Sequence, residues 1–189
     1  YVLGDMKLMS GVSVIGLIAS LVGIVMGPYL ANRFGKKKVY LTAVIISTAL
    51  NLLRLLDVTS MILIYISALI GGVAGGWMVP VNTSIQADNT TYVQYKTGKR
   101  AEAAIASLTS FVSKVAQGLG GAIPGYVIAA YGFVTGASVQ PESINTGIIL
   151  CALILPLIFG ILGLLIFGTQ YTLDQKAVIE MDAKINRNN

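Results

Sequence analysis

Lys114 is the residue whose chemistry stands out, because it sits in the middle of an apolar run covering residues 103–131. An ammonium group at that depth in hydrocarbon costs about 2.5–3.5 kcal/mol on insertion scales, so it requires a carboxylate, water or a polar ligand beside it. Ser107, Ser110, Lys114, Gln117 and Gly121 follow one another in steps of three and four residues. On a helix these form one polar stripe, which should face a cavity. The chemistry on offer is charge and hydrogen bonding toward a polar solute or ion. The competing reading has Lys114 snorkelling to an interface or pairing structurally with a carboxylate, and its depth strains the first of these.

A second group lies in the run 61–86, where Gly71, Gly72, Gly75, Gly76, Trp77 and Pro80 precede Asn82, Ser84 and Gln86. Bent, polar helices of this kind line transport pathways. Trp77 can stack on the apolar face of a sugar ring, and Asn82 can bond hydroxyls. The two fall on different helical faces, however, and interface packing is an equal alternative for Trp77.

The elements that must hold these residues follow from composition. The chain is 55% hydrophobic and 11% charged, with mean hydropathy +0.78; it is too apolar for a water-soluble domain. Five apolar runs, at about 9–30, 39–56, 61–86, 103–131 and 144–169, are each long enough to cross a hydrocarbon layer as a helix. They lack the alternation of barrel strands, so the expected fold is all-α, a polytopic transmembrane bundle. Residues 1–169 form the bundle and 170–189 a polar tail. Ser13, Gly16, Ser20, Gly23 and Gly27 recur at steps of three and four in the first run and let a neighbouring helix approach closely. The fifth run, nearly devoid of polar side chains, reads as peripheral. In the second, Arg54 is expected to reach headgroups or Asp57.

Several function classes are excluded. One cysteine and no histidine leave neither a disulfide framework nor a Cys/His metal centre. No Asp or Glu lies mid-run and the loops are too short for a domain, so an enzyme is not expected. The net charge of +5 reflects basic residues at the ends of apolar runs, which is an orientation signal rather than a nucleic-acid footprint. Arg33, Lys36, Lys37, Lys38, Lys96, Lys99, Arg100, Lys176, Lys184 and Arg187 fall on one side if the spans alternate, against Lys7 and Arg54 on the other. That side is expected to be cytoplasmic, with the tail on it. The chain opens on Tyr1 and reads as truncated at its N-terminus.

The junction Gly27-Pro28-Tyr29-Leu30-Ala31-Asn32-Arg33-Phe34-Gly35-Lys36-Lys37 resembles the loop motif of the major facilitator superfamily, with Asn32 at the position of its usual acid. The stretch from Asp88 through Tyr92, Tyr95, Gly98, Arg100 and Glu102 to Lys114 is similar to the helix ten to eleven region of the glycoside-pentoside-hexuronide cation symporters, the melibiose-carrier family. Tyr171-Thr172-Leu173 resembles that family's C-terminal region.

The resemblance covers essentially the whole chain and implies helices eight to twelve of a twelve-helix carrier, the N-terminal half being absent. It further implies alternating-access symport of a sugar with Na⁺ or H⁺, with no cofactor and no bound metal, in the plasma (inner) membrane. The partners it implies are the sugar, membrane lipid and the missing half. Lys114, Ser110, Ser107, Gln117, Trp77 and Asn82 are then the pathway residues. Asn32, Arg33, Gly35, Lys36, Asp88, Tyr92, Arg100 and Glu102 belong to cytoplasmic gating loops. An uncoupled facilitator or exporter of the same superfamily, and less so a membrane scaffold, are the alternatives.

Overall fold

The computed structural model describes residues 6–137 and 140–187, with side chains from residue 9 onward. The side chain of Lys7, the chain ends at 1–5 and 188–189, and residues 138–139 lie outside that range. Every regular element among the described residues is a helix, and none is a strand. Helix α1 spans Met6–Phe34, α2 Lys36–Leu56, α3 Met61–Thr97 and α4 Glu102–Ala130. A last apolar rod follows, made of α5 (Ser143–Ile149), one π-helical turn (Leu150–Ile154) and α6 (Leu155–Gln170), and then α7 (Gln175–Arg187).

Four of these elements are long and apolar enough to cross a membrane: α1, α2, α3 and the rod 143–170. The fifth expected span, α4, is long enough at 29 residues but is not among them. Its serines, Thr109, Lys114, Gln117 and glycines dilute its apolarity, as a helix facing a polar space requires. One further expectation needs correction. Asp88 and Tyr92 are on a helix, not in a loop, because α3 runs 37 residues to Thr97, eleven beyond the expected end at Gln86. Gly98 then ends it in the left-handed conformation, φ 68°, a regular glycine stop. Within the polar tail, α7 docks on α3 and carries half-buried Ala177, Val178, Met181 and Ile185.

The bundle is built on the seam between α1 and α3. A Cβ on Gly72 would lie 2.7 Å from the Gly16 carbonyl oxygen and 2.8 Å from the Ala19 Cβ. Gly76 sits directly on the Ser20 carbonyl, and Gly23 on that of Val73. A Cβ on Gly27 would come within 2.6 Å of Pro80. The pairs ascend together on both helices, so α1 and α3 run parallel, which alternating spans require. Backbones approach this closely only where both sides are small; in lipid, van der Waals contact of this kind replaces the hydrophobic drive. The opposite face of α1 carries Val14, Leu17, Ile18, Leu21 and Val25, all exposed, as expected for a surface in contact with hydrocarbon rather than water.

Helix α2 closes the seam on one side. Ala31, Val39, Val81 and Ile85 form a buried cluster with Trp77, Tyr40, Phe167 and Tyr171 packed around it. The Phe167 ring lies 4.3 Å from Tyr40 and stacks on Tyr171 at 4.7 Å, pinning α6 to α2.

Candidate functional site

Two sets of polar residues emerge, one at the lysine-rich end and one along α4. At the first, Gly35 joins α1 to α2 with φ 89° and ψ 142°, a conformation that an L side chain rarely adopts. The turn delivers Lys36 to the first position of α2, where its Nζ donates to both carboxylate oxygens of Asp88, each at 2.7 Å. The pair is largely withdrawn from water, with side chains 19% and 8% exposed. It locks the start of α2 to the extension of α3.

Tyr171 borders the same cavity of about 270 Å³ together with Lys37, Lys38 and Asp174. Its hydroxyl is buried and forms no well-shaped hydrogen bond. Burial first, and then the neighbouring Asp88 carboxylate, push its pKa up to about 12. The phenol therefore stays neutral beside a charge that would repel a phenolate.

The buried pair and the exposed Arg100–Glu102 pair at the start of α4 should respond differently to substitution. Lys36→Ala strands a buried carboxylate and is expected to destabilise the protein by about 2–3 kcal/mol, below the range for a fully buried pair. Arg100→Ala breaks a pair of 2.9 Å whose members are 72% and 63% exposed, and should change stability by less than about 0.5 kcal/mol. Thermal unfolding of the purified variants measures both. A further outcome concerns alkaline pH. Because the folded pKa of Tyr171, about 12, lies above the ordinary value of 10.0, the folded state holds that proton more tightly. The resulting stability is complete below pH 10 and is lost as pH rises through the folded value. Tyr171→Phe should flatten the stability profile over that window.

The remaining gating residues are surface groups. Asn32 and Arg33 are exposed, and the Arg33 guanidinium lies 5.4 Å from the Phe34 ring centre. Lys96 sits 5.9 Å over Tyr92 on the same helix, while Lys184 of α7 covers Tyr95 at 5.7 Å. Pro28, Asn32, Lys36, Thr83 and Ser84 border an open groove of about 570 Å³ between α1 and α3. These contacts gather Lys36–38, Lys96, Lys184 and the start of α7 at one end of the bundle.

The second set lies on α4, which has no buried residue. Ser107, Ser110, Lys114, Gln117 and Gly121 are all exposed. Lys114 makes no salt bridge with any described residue. It stands twelve residues, or about 18 Å, into its helix, near mid-membrane depth for a crossing helix. Of the two α3 residues assigned to the pathway, Asn82 is exposed. Trp77 packs against the cluster of α1 and α2 with its Nε1 buried and unpartnered. The five-residue separation puts them on different faces of α3.

A family model described as MFS/sugar transport protein matches residues 1–175. The chain belongs to that family. It is a membrane-embedded helical chain of the major facilitator type. The glucuronide carrier protein homolog of Escherichia coli (strain K12) is 30% identical over 96% of this chain and 41% of its own length. The putative sulfoquinovose importer of the same organism is 25% identical over 99% of this chain and 40% of its own length. The putative 2,3-dihydroxypropane-1-sulfonate exporter of Salmonella typhimurium is 25% identical over 98% and 40%. The chain thus spans about 40% of the length of the curated relatives it matches. These family members are named for transport, not for catalysis. Within the family the motif running from Gly27 to Lys37 is the end of α1 and the start of α2, hinged at Gly35. Sequence reasoning placed Lys36 and Asp88 in separate loops and missed their pairing, since 52 residues separate them and no short-range pattern connects them.

Proposed function

We propose that this chain is part of a secondary carrier that moves a sugar across the membrane by alternating access, coupled to Na⁺ or H⁺. The carrying observation is the α4 stripe: a mid-helix ammonium with no ion-pair partner among the described residues, exposed beside hydroxyl and amide groups, in a chain of the sugar transport family. In that setting Lys114 pairs with solute, ion or a carboxylate of the rest of the carrier, and Ser107, Ser110 and Gln117 bond hydroxyls. A cation on the path favours acidic sugars within the glycoside, pentoside and hexuronide class, in keeping with a relative named a glucuronide carrier homolog.

Coupling works through differential affinity of the two access states for solute and ion, so a gradient in one drives the other. We further place the protein in the plasma (inner) membrane as a multi-pass segment, with the lysine-rich end and α7 in the cytoplasm. The remainder of a longer polypeptide completes the bundle. The export reading has its own support in the relative named an exporter.

The test is ion movement in inside-out and right-side-out vesicles bearing the full-length carrier, with one glycoside, pentoside or hexuronide added at a time. Solute-triggered proton or sodium flux identifies symport, solute and ion together. Solute exchange without ion flux would replace symport by facilitation.

A further inference from the structure

The end of the bundle remote from the lysines carries a second polar constellation that the carrier reading does not use. Ser47, Asn51 and Arg54 of α2 are spaced i, i+4, i+7 and therefore share one face. That face is turned toward the neighbouring helices, because the three half-buried residues line an open pocket of about 290 Å³ whose other walls include Val12 of α1 and Ser67 and Gly71 of α3. At roughly 30 Å³ per water this is room for several waters or a small polyatomic group.

The Arg54 Nε is buried and has no hydrogen-bond partner, and Arg54 forms no ion pair with a described residue. Asp57, which the sequence offered as its partner, is engaged elsewhere. Its Oδ1 accepts the Thr59 N–H at 3.1 Å, the Thr59 hydroxyl at 2.9 Å and the Ser60 N–H at 3.1 Å, closing the turn between α2 and α3.

A guanidinium presents a planar fork that matches two oxygens of a tetrahedral or carboxylate anion, and the buried Nε of Arg54 is one N–H of that fork left without a partner. Hydroxyl and amide donors from Ser47, Asn51 and Ser67 can reach the anion's remaining oxygens. Arg54 lies 18 residues, about 27 Å, along α2 from Lys36, which puts it at the membrane interface opposite the lysines.

We propose that this cavity binds a phosphate-type oxyanion, held by Arg54 between α1, α2 and α3. The phosphate of a phospholipid headgroup in that leaflet and a free inorganic anion share the required chemistry. The site is separate from the α4 stripe and stands whether or not a sugar is carried.

The experiment uses the membrane-extracted protein with two probes, a short-chain phosphatidylglycerol and inorganic phosphate, read by native mass spectrometry and by titration. Saturable one-to-one binding is expected, weakened roughly tenfold or more by Arg54→Gln, which removes the charged fork. Ser67→Leu, which fills the cavity while keeping Arg54, should weaken it similarly and decides the matter if Arg54→Gln does not fold. Binding of the phospholipid alone assigns a headgroup site; binding of inorganic phosphate as well assigns a site open to free anions. Absence of saturable binding for both probes, or unaltered binding in the variants, overturns the proposal.

Discussion

Lys114→Ala is expected to lower gradient-driven solute accumulation roughly tenfold or more while leaving the amount of protein in the membrane unchanged. The asymmetry follows from where the residue stands. The Lys114 side chain is exposed and has no described ion-pair partner, so its removal breaks no internal lock. Deleting a charge from a mid-membrane helix also makes insertion easier, not harder. What is lost is the only charge on the stripe formed with Ser107, Ser110 and Gln117. Lys114→Arg keeps the charge but changes a compact ammonium to a planar fork, and should recover part of the activity. Uptake normalised to surface expression separates these cases; full accumulation by the alanine variant would remove Lys114 from the pathway.

The second large effect is structural. Gly76→Leu should abolish assembly of the bundle, because any Cβ there overlaps the Ser20 carbonyl of α1. The obstacle is backbone, which cannot swing aside as a flexible side chain can, so relief requires α1 and α3 to separate along the whole seam. Overpacking of ordinary cores costs about 1–3 kcal/mol, and losing a backbone-to-backbone helix contact should exceed that. Gly75→Leu provides the control one residue away, where an added Cβ meets nothing within 4 Å. Monodispersity in detergent distinguishes them: Gly76→Leu aggregates or is degraded, and Gly75→Leu remains intact.

Much of this fold is legible in the sequence, for physical reasons. Spans announce themselves because lipid demands about 20 apolar residues in a row. The small residues of α1, from Ser13 to Gly27, announce a close contact because a helix repeats on three and four, although they do not say that α3 is the neighbour. What was hidden depends on tertiary partners. Residues 88–97 are polar and read as a loop; they are helical in a structure where α7 packs on that segment and Asp88 holds Lys36 from 52 residues away. The tail read as merely polar from its composition, although Ala177, Val178, Met181 and Ile185 fall on one face of a helix, a pattern that periodicity could have found. Cys151 lies within the π-helical turn at 150–154, for which no sequence signal was evident. Trp77 was open between stacking on a solute and packing; in the structure it borders the Ala31 cluster, a contact that no periodicity could have specified.

The most direct test of the claim that α4 lines a solute path is protection of Ser110→Cys, made in a Cys151→Ser background of the full-length carrier so that Lys114 remains in place. A membrane-impermeant maleimide should label this cysteine, and a transported sugar should slow the labelling, whereas Leu108→Cys on another face of α4 should be unaffected by sugar. Inertness of Ser110→Cys, or labelling that no transported sugar changes, would contradict the account and leave α4 a helix facing lipid.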